Sequence, residues 1–195
     1  MGGARRLLIV LVYLVIFWVA LPAGLYGLGR LVDRLGLFGA VPGWARWLGW
    51  ALAAAGVWLC LHAALLLRIR GKGLPISSLP PTEFVRSGPY RHFRHPIYTG
   101  YALLAAGLGL VLGSPGMALV VVPAFAVIWF LTWVKLYEEP GLLRRFGDAF
   151  RVHRDRTAIF FPLHLRRGAR RLVLALFRLV FRIRVEGRER VPRQG

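Results

Sequence analysis

Long uncharged apolar runs alternate with short polar segments along this chain, and their lengths match the scale of a bilayer. Four runs, Leu7 to Leu28, Trp47 to Leu67, Ile97 to Leu112 and Met117 to Tyr137, equal or approach the about 20 helical residues that cross a hydrocarbon core. They predict an all-α membrane bundle of about four transmembrane helices. The third run is short, and Ser114, Pro115 and Gly116 part it from the fourth. The pair therefore predicts a tight helical hairpin with its tip in the far headgroup layer. Arg5 and Arg6 imitate the start of a cleaved signal, but the run behind them exceeds the roughly 7 to 15 residues of a signal core, which predicts a retained helix.

Between the second and third runs, Arg70-Gly-Lys-Gly-Leu-Pro-Ile-Ser-Ser-Leu-Pro-Pro81 is too rich in glycine and proline for a regular helix and predicts an irregular surface or re-entrant loop. Irregular backbone at membrane depth must be covered by protein or line a cavity. Past Tyr137, the spacing of Leu142, Leu143, Phe146 and Phe150 predicts a short amphipathic helix along the membrane surface. From Arg170 to Val185, arginines interleave with Leu, Phe and Val, and Arg178 interrupts the apolar run, so an interfacial helix on anionic lipid is expected there. The organisation read from these segments is one membrane domain over residues 1–162, followed by a basic tail over 163–195.

Charge refines this picture. A formal net charge of +19 would fit phosphate recognition, but the basic residues are scattered among apolar ones, which disfavours a nucleic-acid partner. Arg68, Arg70, Lys72, Arg86, Arg91 and Arg94 lie between the second and third runs against Glu83 alone, and fifteen arginines against four acids follow from Arg144 onward. Segments rich in Lys and Arg stay cytoplasmic, so both termini are predicted inside. The loop with Arg30, Asp33, Arg34 and Arg46 is then outside, although it too is mildly basic. Cys60 is the only cysteine, so neither an intrachain disulfide nor a thiolate metal cluster is expected.

Three features exceed hydrophobic scaffolding. Gly88-Pro-Tyr-Arg-His-Phe-Arg-His-Pro-Ile-Tyr-Thr-Gly100 places Tyr90, Arg94, His95 and Tyr98 around the start of the third helix. Pro96 is an ordinary first-turn residue and the arginines are ordinary inside charges. That reading leaves unexplained why so many hydrogen-bonding groups converge on a helix N-terminus, which favours an anionic group. Glu138 and Glu139 adjoin at the end of the fourth helix, and carboxylates at a membrane boundary have partners. Arg94 and Arg91 are the candidates if the hairpin brings the two helix ends together, and a structural ion pair is the simplest outcome. Trp129, Trp133 and Tyr137 recur every four residues as one stripe, which is either packing or a wall for a cationic ligand.

The ordered set of Gly88 to Gly100, a hairpin, Glu138-Glu139-Pro140, Phe146-Gly-Asp-Ala-Phe150 and Arg156 before Pro162 resembles the isoprenylcysteine carboxyl methyltransferase and phospholipid methyltransferase superfamily over residues 68–162. The resemblance implies an integral membrane enzyme that uses S-adenosylmethionine, held by the Arg-His-Pro stretch and the paired glutamates beneath a cytoplasmic cap. It assigns Gly71, Gly73, Tyr90, His95, Pro96, Tyr98, Gly100, Glu138 and Glu139 to cofactor binding, and Arg94, Glu138 and Arg156 to catalysis, with no metal. Phe150 and His153 stand where the family usually has tyrosines. The implied methyl acceptor is a lipid or lipidated molecule. A carboxylate would need only orientation, whereas an amine would need a base, for which Glu138, Glu139 and His153 are open choices. Phe181 to Gly195 resembles the opening of a glycerolipid acyltransferase whose catalytic residues would lie beyond Gly195, which would tilt the acceptor toward glycerophospholipid. The rival readings are a non-catalytic membrane anchor that keeps the fold and, more remotely, a nucleic-acid binder. Oligomeric state is not legible.

Overall fold

The computed structural model describes residues 3–75 and 80–157, and every regular element among them is helical. The expected tail over 163–195, with its anionic-lipid contact, lies outside the described residues. Helix α1 runs as one rod through Gly3–Val15, a wider π-type stretch Ile16–Ala20, and Leu21–Asp33. Helix α2 is Gly43–Ile69, α3 is Pro96–Val111, α4 is Met117–Phe146 and α5 is Asp148–Arg156.

Length separates these helices. The apolar spans of α1, α2 and α4 hold 27, 27 and 30 residues, or roughly 40 to 45 Å at 1.5 Å per residue, which is ample for a core about 30 Å thick. Helix α3 has 16 residues, about 24 Å. Three helices are thus long and apolar enough to cross, and the fourth expected crossing is this shorter one, packed along α2.

Close backbone approach joins α2 to α3. A Cβ on Gly56 would lie 2.5 Å from the Gly100 carbonyl, and one on Gly107 would lie 2.5 Å from the Gly49 carbonyl. Small residues bring membrane helices this close because packing, rather than water exclusion, drives their association. At the hairpin end, Asp33 of α1 accepts hydrogen bonds from the Gly116 backbone N–H at 2.7 Å and the Ser114 hydroxyl at 2.6 Å. It therefore caps the start of α4 from another helix, where free amides favour an anion. The bare side of α2 carries Trp44, Trp47 and Trp50, all strongly exposed, as expected of an aromatic belt at a lipid boundary.

The segment after Tyr137 differs from expectation. No separate helix spans Leu142 to Phe150: α4 continues through Leu142, Leu143 and Phe146, and Phe150 belongs to α5. Two features explain this. Pro140 lacks an N–H and crowds the turn before it, and the π-type stretch Phe130–Glu138 supplies a wider turn ahead of it. The break falls instead at Gly147, whose φ of 53° and ψ of −132° suit glycine alone. Helix α5 then folds back over the end of the bundle where α3 begins.

Candidate active site

The start of α3 is built by a short turn. Pro89 opens the 3-10 turn Gly88–Arg91, and Gly88, at φ +59°, would drive a Cβ to 2.6 Å from Leu66. The turn carries Tyr90 into the interior, against Ala63 and Val85. His95 stands at the N-cap and Pro96 at the first helical position of α3, so Tyr98 emerges one turn later beneath the imidazole, the two rings stacked at 5.7 Å.

From the other side, the end of α4 brings its adjacent acids onto these groups. Glu139 accepts from Nη1 of Arg94 at 2.7 Å and lies 3.4 Å from Nε2 of His95. Glu138 lies 3.3 Å from Nδ1 of His95 and accepts the Tyr98 hydroxyl. One imidazole thus bridges two neighbouring carboxylates. Arg94 also reaches α5: its Nη2 donates to the carbonyls of Arg154 at 2.6 Å and Thr157 at 3.1 Å, binding the cap helix by its C-terminal end.

Burial alone would discharge His95, but hydrogen bonds and charge from Glu138 and Glu139 outweigh it and raise its pKa, favouring the imidazolium. His153 is opposite: burial, then the charges of Arg94, Arg86 and His95, lower it to about 4, so its ring is neutral near pH 7. Burial, then the Glu138 charge, pushes Tyr90 upward, so its phenol stays protonated.

These side chains line a cavity of about 350 Å³, roofed by Phe84, Arg145, Phe150 and His153 and walled by Trp133 and Tyr137. A second, larger cavity of about 580 Å³ extends inward from it, between α1, α2, α3 and α4. The two share Pro75, His95, Ile97, Tyr98 and Trp133 as a common wall. The aromatic stripe runs down this wall, with ring centroids 5.8 Å apart for Phe125 and Trp129, 5.7 Å for Trp129 and Trp133, and 5.5 Å for Trp133 and Tyr137.

Of the residues singled out in the sequence, Tyr90, Arg94, His95, Pro96, Tyr98 and Glu138 line the smaller cavity, and Glu139 joins them through Arg94 and His95. The others sit elsewhere. Gly71 and Gly73 lie in close packing with their surroundings; a Cβ on Gly73 would lie 2.4 Å from Pro81. The loop thereby doubles back and presents Pro80 and Pro81 to the cavity. Gly100 is pressed against Cys60 and Gly56 of α2. Arg156 is exposed at the end of α5, and Arg91 is exposed and does not meet the acids. Sequence reading missed Phe84, Arg145 and the inner cavity. For Phe84 a signal existed, an isolated aromatic in a polar loop; it meets Phe146, Phe150 and His153 at 5.1, 6.1 and 5.3 Å.

Two polar atoms around the smaller cavity are buried with no partner among the described residues, the hydroxyl of Tyr90 and Nε of Arg94. Both are donors, and buried donors without acceptors are costly. They fit a ligand carrying an acceptor such as a carboxylate. No group of three or more metal-ligating side chains occurs among the described residues.

The chain is similar to the nickel-cobalt-cadmium resistance protein NccN of Alcaligenes xylosoxydans xylosoxydans, with 29% identity over 139 residues, 70% of this chain and 63% of that protein. The chain thus spans less than two thirds of that relative's length. No solved structure matches it. The profile described as Phospholipid methyltransferase matches residues 44–149, which hold α2, α3, α4 and nearly every residue of the two cavities contributed by those helices. With its polar site at the end of an apolar bundle, the chain belongs to the phospholipid methyltransferase family of membrane methyltransferases.

Proposed function

We propose that this protein transfers a methyl group from S-adenosylmethionine to the head of a lipid whose apolar part lies in the inner cavity. The observation carrying this reading is the common wall: the cavity that holds Tyr90, Arg94, His95 and Glu138 and a more apolar one meet at His95, Ile97, Tyr98 and Trp133. A volume of about 350 Å³ falls in the ordinary range for a small-molecule site. S-adenosylmethionine, when bound, supplies an electrophilic methyl group on a sulfonium. The chain's own groups fit its other parts. The Tyr90 hydroxyl and Nε of Arg94 offer donors to a carboxylate, Glu138 an acceptor to an ammonium, and the Trp133 and Tyr137 rings an aromatic face to a cation. Rate enhancement would come from holding the two reactants together, worth at best about 7 to 11 kcal/mol.

The pairing of the acids favours carboxyl O-methylation. Glu138 and Glu139 are held by His95, Tyr98 and Arg94, and Glu83 by Lys72. Each of these carboxylates already has a partner among the described residues, which makes it a poorer base, and a carboxylate acceptor arrives already ionised. The second reading is N-methylation of an amine-bearing phospholipid, for which neutral His153 in the roof is the available base. The basic residues Arg68, Arg70, Lys72, Arg144 and Arg145 flanking this end of the bundle support a cytoplasmic orientation.

The test is calorimetry of S-adenosylmethionine binding to the detergent-purified protein and Glu138→Gln, followed by transfer of labelled methyl to extracted lipids. Saturable binding weakened in Glu138→Gln, with label released as methanol by mild alkali, is expected for a methyl ester. Alkali-stable label would select the amine reading. Absence of binding in detergent and in nanodiscs would reduce the chain to a membrane anchor with this fold.

A further inference from the structure

The inner cavity has a defined far end. Its walls converge on Leu25 of α1, Ala105 of α3 and Val122 of α4. These three form one buried cluster with Met117, each no more than 4% exposed. From the common wall at Tyr98 to Ala105 is seven residues of α3, about 10 Å at 1.5 Å per residue. Along the bundle axis the cavity therefore ends at this cluster, well short of crossing a core about 30 Å thick, while Leu14, Ile16 and Leu61 on its sides are exposed outward.

Its lining selects the occupant. Tyr101 directs its hydroxyl to the Phe17 carbonyl at 2.8 Å, and Cys60 its thiol to the Ile97 carbonyl at 3.4 Å. Apolar side chains dominate the remainder. The buried donor of this wall that lacks an acceptor among the described residues is Nε1 of Trp129, whose ring meets Tyr98 edge-on at 6.3 Å. Polar recognition is thus concentrated toward the common wall and the far end is hydrocarbon. A volume of about 580 Å³ lies in the range that holds one drug-sized ligand, hence one chain rather than the paired chains of a diacyl lipid.

We propose that this cavity, open sideways and closed along the bundle axis, seats a single hydrocarbon chain of the methyl acceptor, and that Leu25, Ala105 and Val122 set the longest chain it takes. This deepens the reading above and rests on the acceptor being a lipid. Each added methylene that finds room should tighten binding about fourfold. The gain should stop where the chain meets the floor. Ala105→Phe raises that floor, and Leu25→Ala lowers it.

The probe is a series of saturated fatty acids, from octanoate to eicosanoate, titrated into the purified full chain in detergent, with affinity referred to the free aqueous acid because micelles also take up the longer chains, and with thermal unfolding as the check on folding. A steep rise in affinity followed by a break is expected, with the break moving to shorter chains in Ala105→Phe and to longer chains in Leu25→Ala. If one variant fails to fold, the other still gives the direction. Affinity that rises without a break, or a break unmoved in a folded variant, would overturn the proposal. Methyl transfer from labelled S-adenosylmethionine is followed on the same acids. A movable break without transfer would sink the carboxyl methylation reading and leave the chain site standing, whereas transfer indifferent to chain length and to both substitutions would do the reverse.

Discussion

Arg94 holds the cap helix onto the bundle, and replacing it should release α5 before it unfolds anything else. Its Nη1 is engaged by Glu139, while Nη2 donates to the carbonyls of Arg154 and Thr157. Arg94→Lys keeps a positive charge opposite Glu139, but a single ammonium on a differently shaped stem does not reproduce a planar fork that spans all three acceptors. Hydrogen bonds to a charged donor contribute about 1.5 to 3 kcal/mol each, so losing one or both carbonyl contacts should cost α5 about 2 to 4 kcal/mol of local stability. Amide hydrogen exchange over residues 148–157 reads this directly. Exchange there should quicken by about 30- to 1,000-fold in Arg94→Lys while α2 and α3 hardly change. In Arg94→Ala, Glu139 also loses the nearer of its two partners and keeps only His95; removing one member of a buried pair costs up to about 3 to 5 kcal/mol, so general destabilisation should join the local effect. Unchanged exchange across α5 in a folded Arg94→Ala would refute the clamp.

Three further outcomes follow from other parts of the bundle. His153 is lowered from an ordinary 6.5 to about 4, so between those values the unfolded chain takes up a proton that the folded one refuses, and stability should fall as pH drops through that window and level off below it; thermal unfolding of His153→Phe at several pH values should lack that fall, and an unchanged profile would contradict the assignment. Asp33→Ala leaves the Gly116 amide and Ser114 hydroxyl without their acceptor, and should lower stability in detergent by about 2 to 4 kcal/mol, with Asp33→Asn in between. Gly56→Leu would set a side chain 2.5 Å from backbone atoms of both Gly100 and Leu104, whereas Gly24 faces open space; size-exclusion profiles should show the first variant lost from the folded fraction and Gly24→Leu retained, and equal recovery of both would argue against the α2 and α3 contact.

The parts legible in the sequence are those where chemistry contrasts with its surroundings. Apolar runs gave the positions of α1 to α4 because a bilayer imposes a length, and the polar groups from Tyr90 to Tyr98 and the paired acids stood out because membrane-boundary charge is otherwise costly. The antiparallel hairpin then sufficed to bring Arg94 to Glu139. Legibility failed where a residue's meaning lies in its neighbour across the bundle. Asp33 reads as a loop charge until the start of α4 is seen beneath it. The crowding at Gly71, Gly73 and Gly100, each with backbone or a side chain where its Cβ would go, is likewise invisible along the chain. The inner cavity left no trace, because each of its walls is an ordinary membrane residue and only the spacing of four helices makes them a site.

The wider turns of α4 bear on why two adjacent acids can both serve one imidazole. In a regular α-helix, residues four apart drift by about 40° per step, so a line of rings at that spacing would wind off the cavity wall. Across Phe130–Glu138 the helix is π-type, and the extra residue in each turn counters that drift. Trp129, Trp133 and Tyr137 stay in ring contact along one side, as Phe125 and Trp129 do in the regular helix ahead of them. The same stretch ends at Glu138, and the α-helical turn resumes at Glu139. Neighbouring side chains on a helix ordinarily diverge by about 100°, yet here Glu138 meets Nδ1 and Glu139 meets Nε2 of the same ring. Glu139 itself is buried between Arg94 and His95, while Leu131, Leu136 and Tyr137 of the wide stretch face outward. Wide turns of this kind recur at functional sites, and here the wide turn joins the aromatic wall to the acids that close the polar cavity.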